Sequence, residues 1–169
     1  MTDKNSKTRT GHPNETQWGE NVTHKAEGTG TELCSEDVIH AYRDPVQAVM
    51  MNPIHANIDN PQLWECEGDV VAGDSTKVGC KELTTLKKIP VPEVTIVQRT
   101  RFAILVTKKV YKNKKWNDWA DAWLNGKDRS AHAAYDAAHA AAHAAAAAAH
   151  AAADKLDLVA LAYQAVSIK

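Results

Sequence analysis

His139 and His143, one helical turn apart, are the residues whose spacing points most directly to chemistry. Imidazoles at i and i+4 project from one side of a helix and can share a divalent metal, with Asp136 within reach as a carboxylate ligand. No glutamate follows the first histidine as in a metalloprotease helix, so a solvated polar face is the simpler reading. Just upstream, Lys127, Arg129 and Ser130 stand at the start of a long helix. Free N–H groups and the helix dipole favour an anion there. An ordinary cap with solvated charges accounts for the same residues.

The remaining candidates are more scattered. Cys34, His40, Cys66 and Cys80 match no zinc module in spacing and read as reduced, buried thiols beside a histidine. Glu65, Glu67 and Asp69 alternate like the solvent side of a strand. His40 and His55 flank a short helix and either could serve as a general base, yet neither has a nucleophile at a recognisable distance along the chain. Trp116, Trp119 and Trp123 recur at i, i+3 and i+7, which makes an aromatic ridge suited to docking. No catalytic set stands out and no cofactor is expected.

The elements that must carry these residues suggest an α+β fold: a small antiparallel sheet with helices, then a helical C-terminal half. Residues 1–30 are rich in Gly, Asn, Thr and Lys and read as an extended arm, ordered only if Trp18 docks. Residues 31–92 form the α+β region and are expected to share one domain with residues 93–169. There a strand covers Val38 to Tyr42, and Asp44-Pro45 opens a helix that Asn52-Pro53 ends. A strand follows from Leu63 to Gly68, then a Gly-Asp-Ser turn and one or two strands between Lys77 and Ile89.

Residues 93–169 are helical. Ile96, Val97, Thr100, Ala103, Ile104, Thr107, Val110 and Tyr111 follow the spacing of a helix face over Thr95–Tyr111, with Thr95 as its cap. A tryptophan helix spans Trp116–Leu124 and stops at Gly126. Between Arg129 and Ala153 nearly every residue is alanine, the strongest helix former. Measured from His132, residues His139, His143 and His150 fall within about 20° of one line, and Asp136 about 40° away. A final short helix lies near Leu158–Ser167. If it continues the alanine helix, Leu156, Val159, Tyr163 and Val166 form the buried face.

Bulk properties exclude more than they assign. At 169 residues the chain suits one domain, and a net charge of −1 supplies no global field for nucleic acid or anionic membrane. Three cysteines are too few for a disulfide framework. The polar N-terminus lacks the apolar stretch of a secretion signal, and the histidines argue against the alanine run as a membrane span.

Several stretches occur together: GTGTELCS, IHAYRDP, NPIHANIDNPQLWE, KVGCKELTT, QRTRFAI and WADAWLNGKDRS. With the alanine-rich tail behind them, they resemble a family of uncharacterised phage and environmental phage-like proteins from about Trp18 onward. The resemblance implies a bacterial cytoplasm or a virion as the setting and brings no activity with it. The leading expectation is therefore a non-enzymatic phage accessory protein that binds a host or phage protein. An ADP-ribosyltransferase-like or other small enzyme, and a virion protein self-associating through the alanine helix, are the alternatives. Below about pH 6.5, the ordinary histidine value, the stacked imidazoles should charge together and weaken the alanine helix. Circular-dichroism melts between pH 5 and 8 read this directly, and an unchanged midpoint refutes the stripe.

Overall fold

The computed structural model describes residues 1–127 and 156–167. The chain divides into two units, Met1–Glu93 and Val94–Lys169. The fold is mixed α+β, with an antiparallel sheet and four helices among the described residues. The alanine helix expected from Arg129 to Ala153 lies outside those residues.

The first unit is organised by one strand. β6 (Val78–Ile89) is a single strand of twelve residues, which settles the expected one or two strands in favour of one. Its β-branched and apolar residues suit a strand with both edges occupied. One edge is taken by β5 (Leu63–Gly73), in register from Leu63↔Ile89 to Gly73↔Val78. β3 (Val22–Lys25) and β4 (Ile39–Ala41) lie end to end along the other, against residues 82–85 and 78–80 respectively. β5 runs five residues beyond the expected Gly68. The turn begins at Asp74, whose carboxylate accepts from the Thr76 amide at 2.7 Å, the Thr76 hydroxyl at 2.6 Å and the Lys77 amide at 2.9 Å.

The expected N-terminal arm is instead structured. β1 (Lys7–Thr8) pairs with β2 (Thr16–Gln17), and β3 belongs to the main sheet. Trp18 explains the difference. Its ring is buried with Val78, Cys80 and Leu83, its indole N–H donates to the Thr8 hydroxyl at 3.1 Å, and its amide donates to the Ser6 carbonyl at 2.7 Å. One anchor thereby fixes both the β1–β2 hairpin and the entry to β3.

Asp44 caps α1 (Pro45–His55) through bonds to the amides of Val46 and Gln47. The helix passes Pro53 rather than ending there. Proline removes only one intrahelical donor, and Asn52 holds the last turn together. The Asn52 carbonyl accepts from Ala56 and Asn57, while its side chain exchanges two 2.9 Å bonds with the backbone of Ile58.

In the second unit, α2 (Ile96–Val110) begins with a capping box between Thr95 and Gln98. Its buried residues are Thr100, Phe102, Ile104, Leu105, Val106 and Thr107, while Ile96, Val97 and Tyr111 are exposed. The real face is rotated from the expected one because Phe102, Leu105 and Val106 all turn inward. α3 (Lys114–Leu124) packs against α2, as does α4 (Leu158–Val166). α4 buries Leu158, Leu161, Ala162 and Ala165 and leaves Tyr163 exposed, so the expected buried set is displaced. Asp157 starts this helix afresh, accepting from the Ala160 amide at 2.9 Å, and its phase is set by its own cap.

Because Trp18 closes the sheet's apolar cluster, Trp18→Ala should cost about 3–5 kcal/mol of unfolding free energy. Urea denaturation measures it. A loss below about 1 kcal/mol would mean that the N-terminal strands are held by their backbone bonds alone.

Candidate functional site

The residues singled out for chemistry do not converge. His40 sits opposite Gly79 near one end of β6, and Trp64 opposite Lys88 near the other. Nine strand residues separate those positions, about 30 Å at the usual rise. The Trp64 indole is engaged elsewhere, donating to the Thr2 hydroxyl at 3.1 Å. His55 meets the Tyr42 hydroxyl through Nδ1 at 2.8 Å, with the two rings stacked. Burial pushes the Tyr42 phenol above its ordinary range, which keeps the hydroxyl protonated as a donor.

Of the four metal-type residues, Cys34 and His40 meet on one side of the sheet and Cys66 and Cys80 on the other. Ile39, next to His40, pairs with Cys80, and successive strand residues point to opposite faces. Cys66 and Cys80 lie in or against the Trp18 cluster, and burial raises both thiols. Cys34, expected to be buried, is exposed. Among the described residues no three His, Cys, Asp or Glu side chains are grouped to hold a metal.

The loop that carries Cys34 is nonetheless tightly built. Asp37 accepts from the amides of Gly30 and Glu32, and those bonds, the first above all, hold its carboxyl below the usual range. The Lys81 ammonium donates to the carbonyls of Gly28, Gly30 and Asp37. A Cβ at Gly28 would meet the Asp37 backbone at 2.8 Å, so only glycine lets the two segments come this close. Cys34 adopts φ 66°, an uncommon left-handed conformation for a side-chain-bearing residue. Its amide donates to His40 Nε2 at 2.9 Å, and Lys77 Nζ lies 3.0 Å from its sulfur. His40 Nε2 is therefore engaged by the backbone amide, and the side chain paired with the thiol is Lys77. Serving as an acceptor requires neutral His40, and burial, then Lys77 and Arg9, all push its pKa down.

The tryptophan ridge is mostly core. Trp123 is 2% exposed and packs with Ile104 and Ala120, and Trp116 and Trp119 lie half-buried against that cluster. Docking through the whole ridge is thus closed by its own fold. Lys127 lies at the end of α3, and the helix start expected to follow it falls outside the described residues. Gly126, at φ 74°, donates to Trp123 and Lys127 to Ala122, closing the helix with the paired bonds of a left-handed glycine cap. Arg129 and Ser130 lie outside the described residues, as do His139, His143 and Asp136.

No family model matches the chain, and neither curated proteins nor solved structures show a significant similarity to it. Its surface must speak for itself.

One feature, absent from the sequence reading, stands out there. Among the described residues β5 is paired only to β6, which leaves its other edge open along most of the strand. Glu67, Gly68, Asp69, Val70 and Val71 are exposed in succession, with Val70 at 46% and Val71 at 36%. Two of the three register shifts place the extra residue on β6. Within Leu63–Val70 those shifts fall between Glu65 and Cys66 and between Gly68 and Val70.

The histidine contact has a defined pH sense. Below about pH 6.5 the unfolded chain takes up a proton that folded His40 resists, so stability falls as pH drops through that value. The denaturation midpoint of the protein should decline from about pH 7.5 to 5.5, and His40→Gln should show a smaller decline. Identical pH profiles for the two proteins would refute the link.

Proposed function

We propose that this chain is a non-enzymatic interaction module that captures an extended, cationic segment of a partner protein along the open edge of β5. The carrying observation is that edge: a long strand with one side paired, exposed valines, and no covering element among the described residues. Each unpaired N–H and C=O on an edge strand can bond to an incoming strand, the basis of β-strand addition. Most natural edges are short, kinked or covered. This one is eleven residues long.

Charge selects the partner. Glu65 and Glu67 alternate on one face of β5, and Asp69 follows within the exposed run. Glu65 lies 3.2 Å from Lys87 with both side chains exposed. A pair of that kind is weak and exchanges readily for a new cation. The unit as a whole carries nine Lys and Arg against fifteen Asp and Glu. A strand with lysine or arginine at alternate positions is therefore the favoured occupant.

The separation of His40 from Trp64 along β6 argues against the enzyme reading. Self-assembly through the alanine helix rests on residues outside the described set. The phage-like resemblance would put the partner in a bacterial host or in the phage, with the module acting in the cytoplasm or the virion. No described helix is long and apolar enough to cross a membrane.

An alternating Lys-Thr peptide of about ten residues, a typical strand length, should perturb the amides of residues 64–70 in a nuclear magnetic resonance titration. An alternating Glu-Thr peptide should not, and Glu67→Lys with Asp69→Lys should weaken the first response. Equal responses to both peptides, or perturbations away from β5, would refute the reading.

A further inference from the structure

The near-zero net charge hides a strong local imbalance. Residues 94–127 hold eight Lys and Arg against two Asp. Five of the lysines fall within eight residues, at the corner where α2 passes into α3: Lys108, Lys109, Lys112, Lys114 and Lys115. Apart from half-buried Lys108, all are exposed. Tyr111 is set among them with 46% of its surface exposed. Its ring meets Trp116 edge-on, at 5.6 Å between centroids, and Trp116 is packed against the Trp123 cluster.

We propose that this corner is a binding site for single-stranded nucleic acid, with the lysines on the phosphates and Tyr111 as a stacking platform for a base. Cations interleaved with a supported aromatic ring are what a flexible strand requires, since it offers both charge and unpaired bases. The edge-on contact with Trp116 holds the tyrosine by its neighbour while much of its surface remains open. Phosphate competition at the lysines is mild. Lys108 contacts Asp121, and Lys114 lies 2.6 Å from Asp118 on exposed side chains. Such surface pairs contribute little and yield to a phosphate. Lys112 donates to the Lys109 carbonyl at 2.7 Å, which pins one ammonium at the C-terminal end of α2.

An anionic membrane is the other polyanion that lysines attract, but it would draw on apolar residues to insert. The exposed residues at this corner are polar or charged except for the tyrosine. Duplex DNA would satisfy the lysines but bury no base against Tyr111. The favoured ligand is therefore the single strand.

The full-length chain is titrated by fluorescence anisotropy with oligo-dT, oligo-U, duplex DNA and phosphatidylserine vesicles. Either single strand should bind more tightly than the duplex, and vesicles should bind least. Affinity should fall with salt at a log–log slope of about −2, the value for three phosphate contacts on a single strand. Tyr111→Ala should weaken binding about fivefold or more, while Tyr111→Phe, which keeps the ring, should bind like the parent. Replacing Lys109, Lys112 and Lys115 together by Gln should weaken binding at least about tenfold and flatten the salt slope. Circular dichroism of each variant shows that α2 and α3 persist. Duplex binding equal to single-strand binding, preference for vesicles, or Tyr111→Ala with unchanged affinity would each overturn the proposal.

Discussion

The first unit depends on a single requirement: β6 must find partners for the backbone groups on both of its edges. Twelve residues of central strand present too many donors and acceptors to be left unpaired, and no one neighbour covers both sides. β5 satisfies one edge over nearly the full length. β3 and β4 divide the other between them, and the Cys34 loop spans the gap in sequence that separates those two short strands. The open edge of β5 follows directly. Once β6 is saturated, the strand beyond it is the outermost, and no further strand among the described residues closes it.

Close packing of the segments around β6 constrains side chains as well as backbone. A Cβ at Gly79 would meet Val38 at 2.7 Å, and one at Gly68 would meet the Glu82 carbonyl oxygen at 2.6 Å. Both glycines are therefore required where neighbouring residues cross the sheet closely. Gly68 also leaves β5 without a side chain on one face at the middle of its exposed stretch. The constraint that packs β5 onto β6 thus also keeps part of its outer run flat.

Local signals were legible in the sequence where the physics is local. Asp44-Pro45, Thr95 and Gly126 act through bonds to residues within a few positions, and each sits at the helix end it marked. What could not be read was set by contacts across the chain. Trp18 orders the first thirty residues through Val78, Cys80 and Leu83, some sixty positions away. Asn52 carries α1 past a proline by bonding Ile58, a rescue that the dipeptide alone does not announce. The buried face of α4 was displaced because its phase had been counted from a helix upstream, whereas its own cap resets it. The open β5 edge was invisible for the same reason, since strand order is a property of pairing and not of composition.

Charge shows the same separation of scales. A net of −1 excludes a global field, and by itself it argued against a nucleic-acid partner. Screening in physiological salt confines each charge to a neighbourhood of about 8 Å, so the relevant quantity is the local sum. The unit Met1–Glu93 is acidic, and the corner of α2 and α3 is a cluster of lysines. Each can hold an oppositely charged partner while the chain as a whole stays near neutrality. Two surfaces of opposite sign also prefer different ligands, because an edge that attracts a cationic strand repels a phosphate backbone, and the lysine corner does the reverse. The cancellation that removed a global signal is what lets an acidic unit and a lysine cluster, the two surfaces proposed to bind, stand on one near-neutral chain.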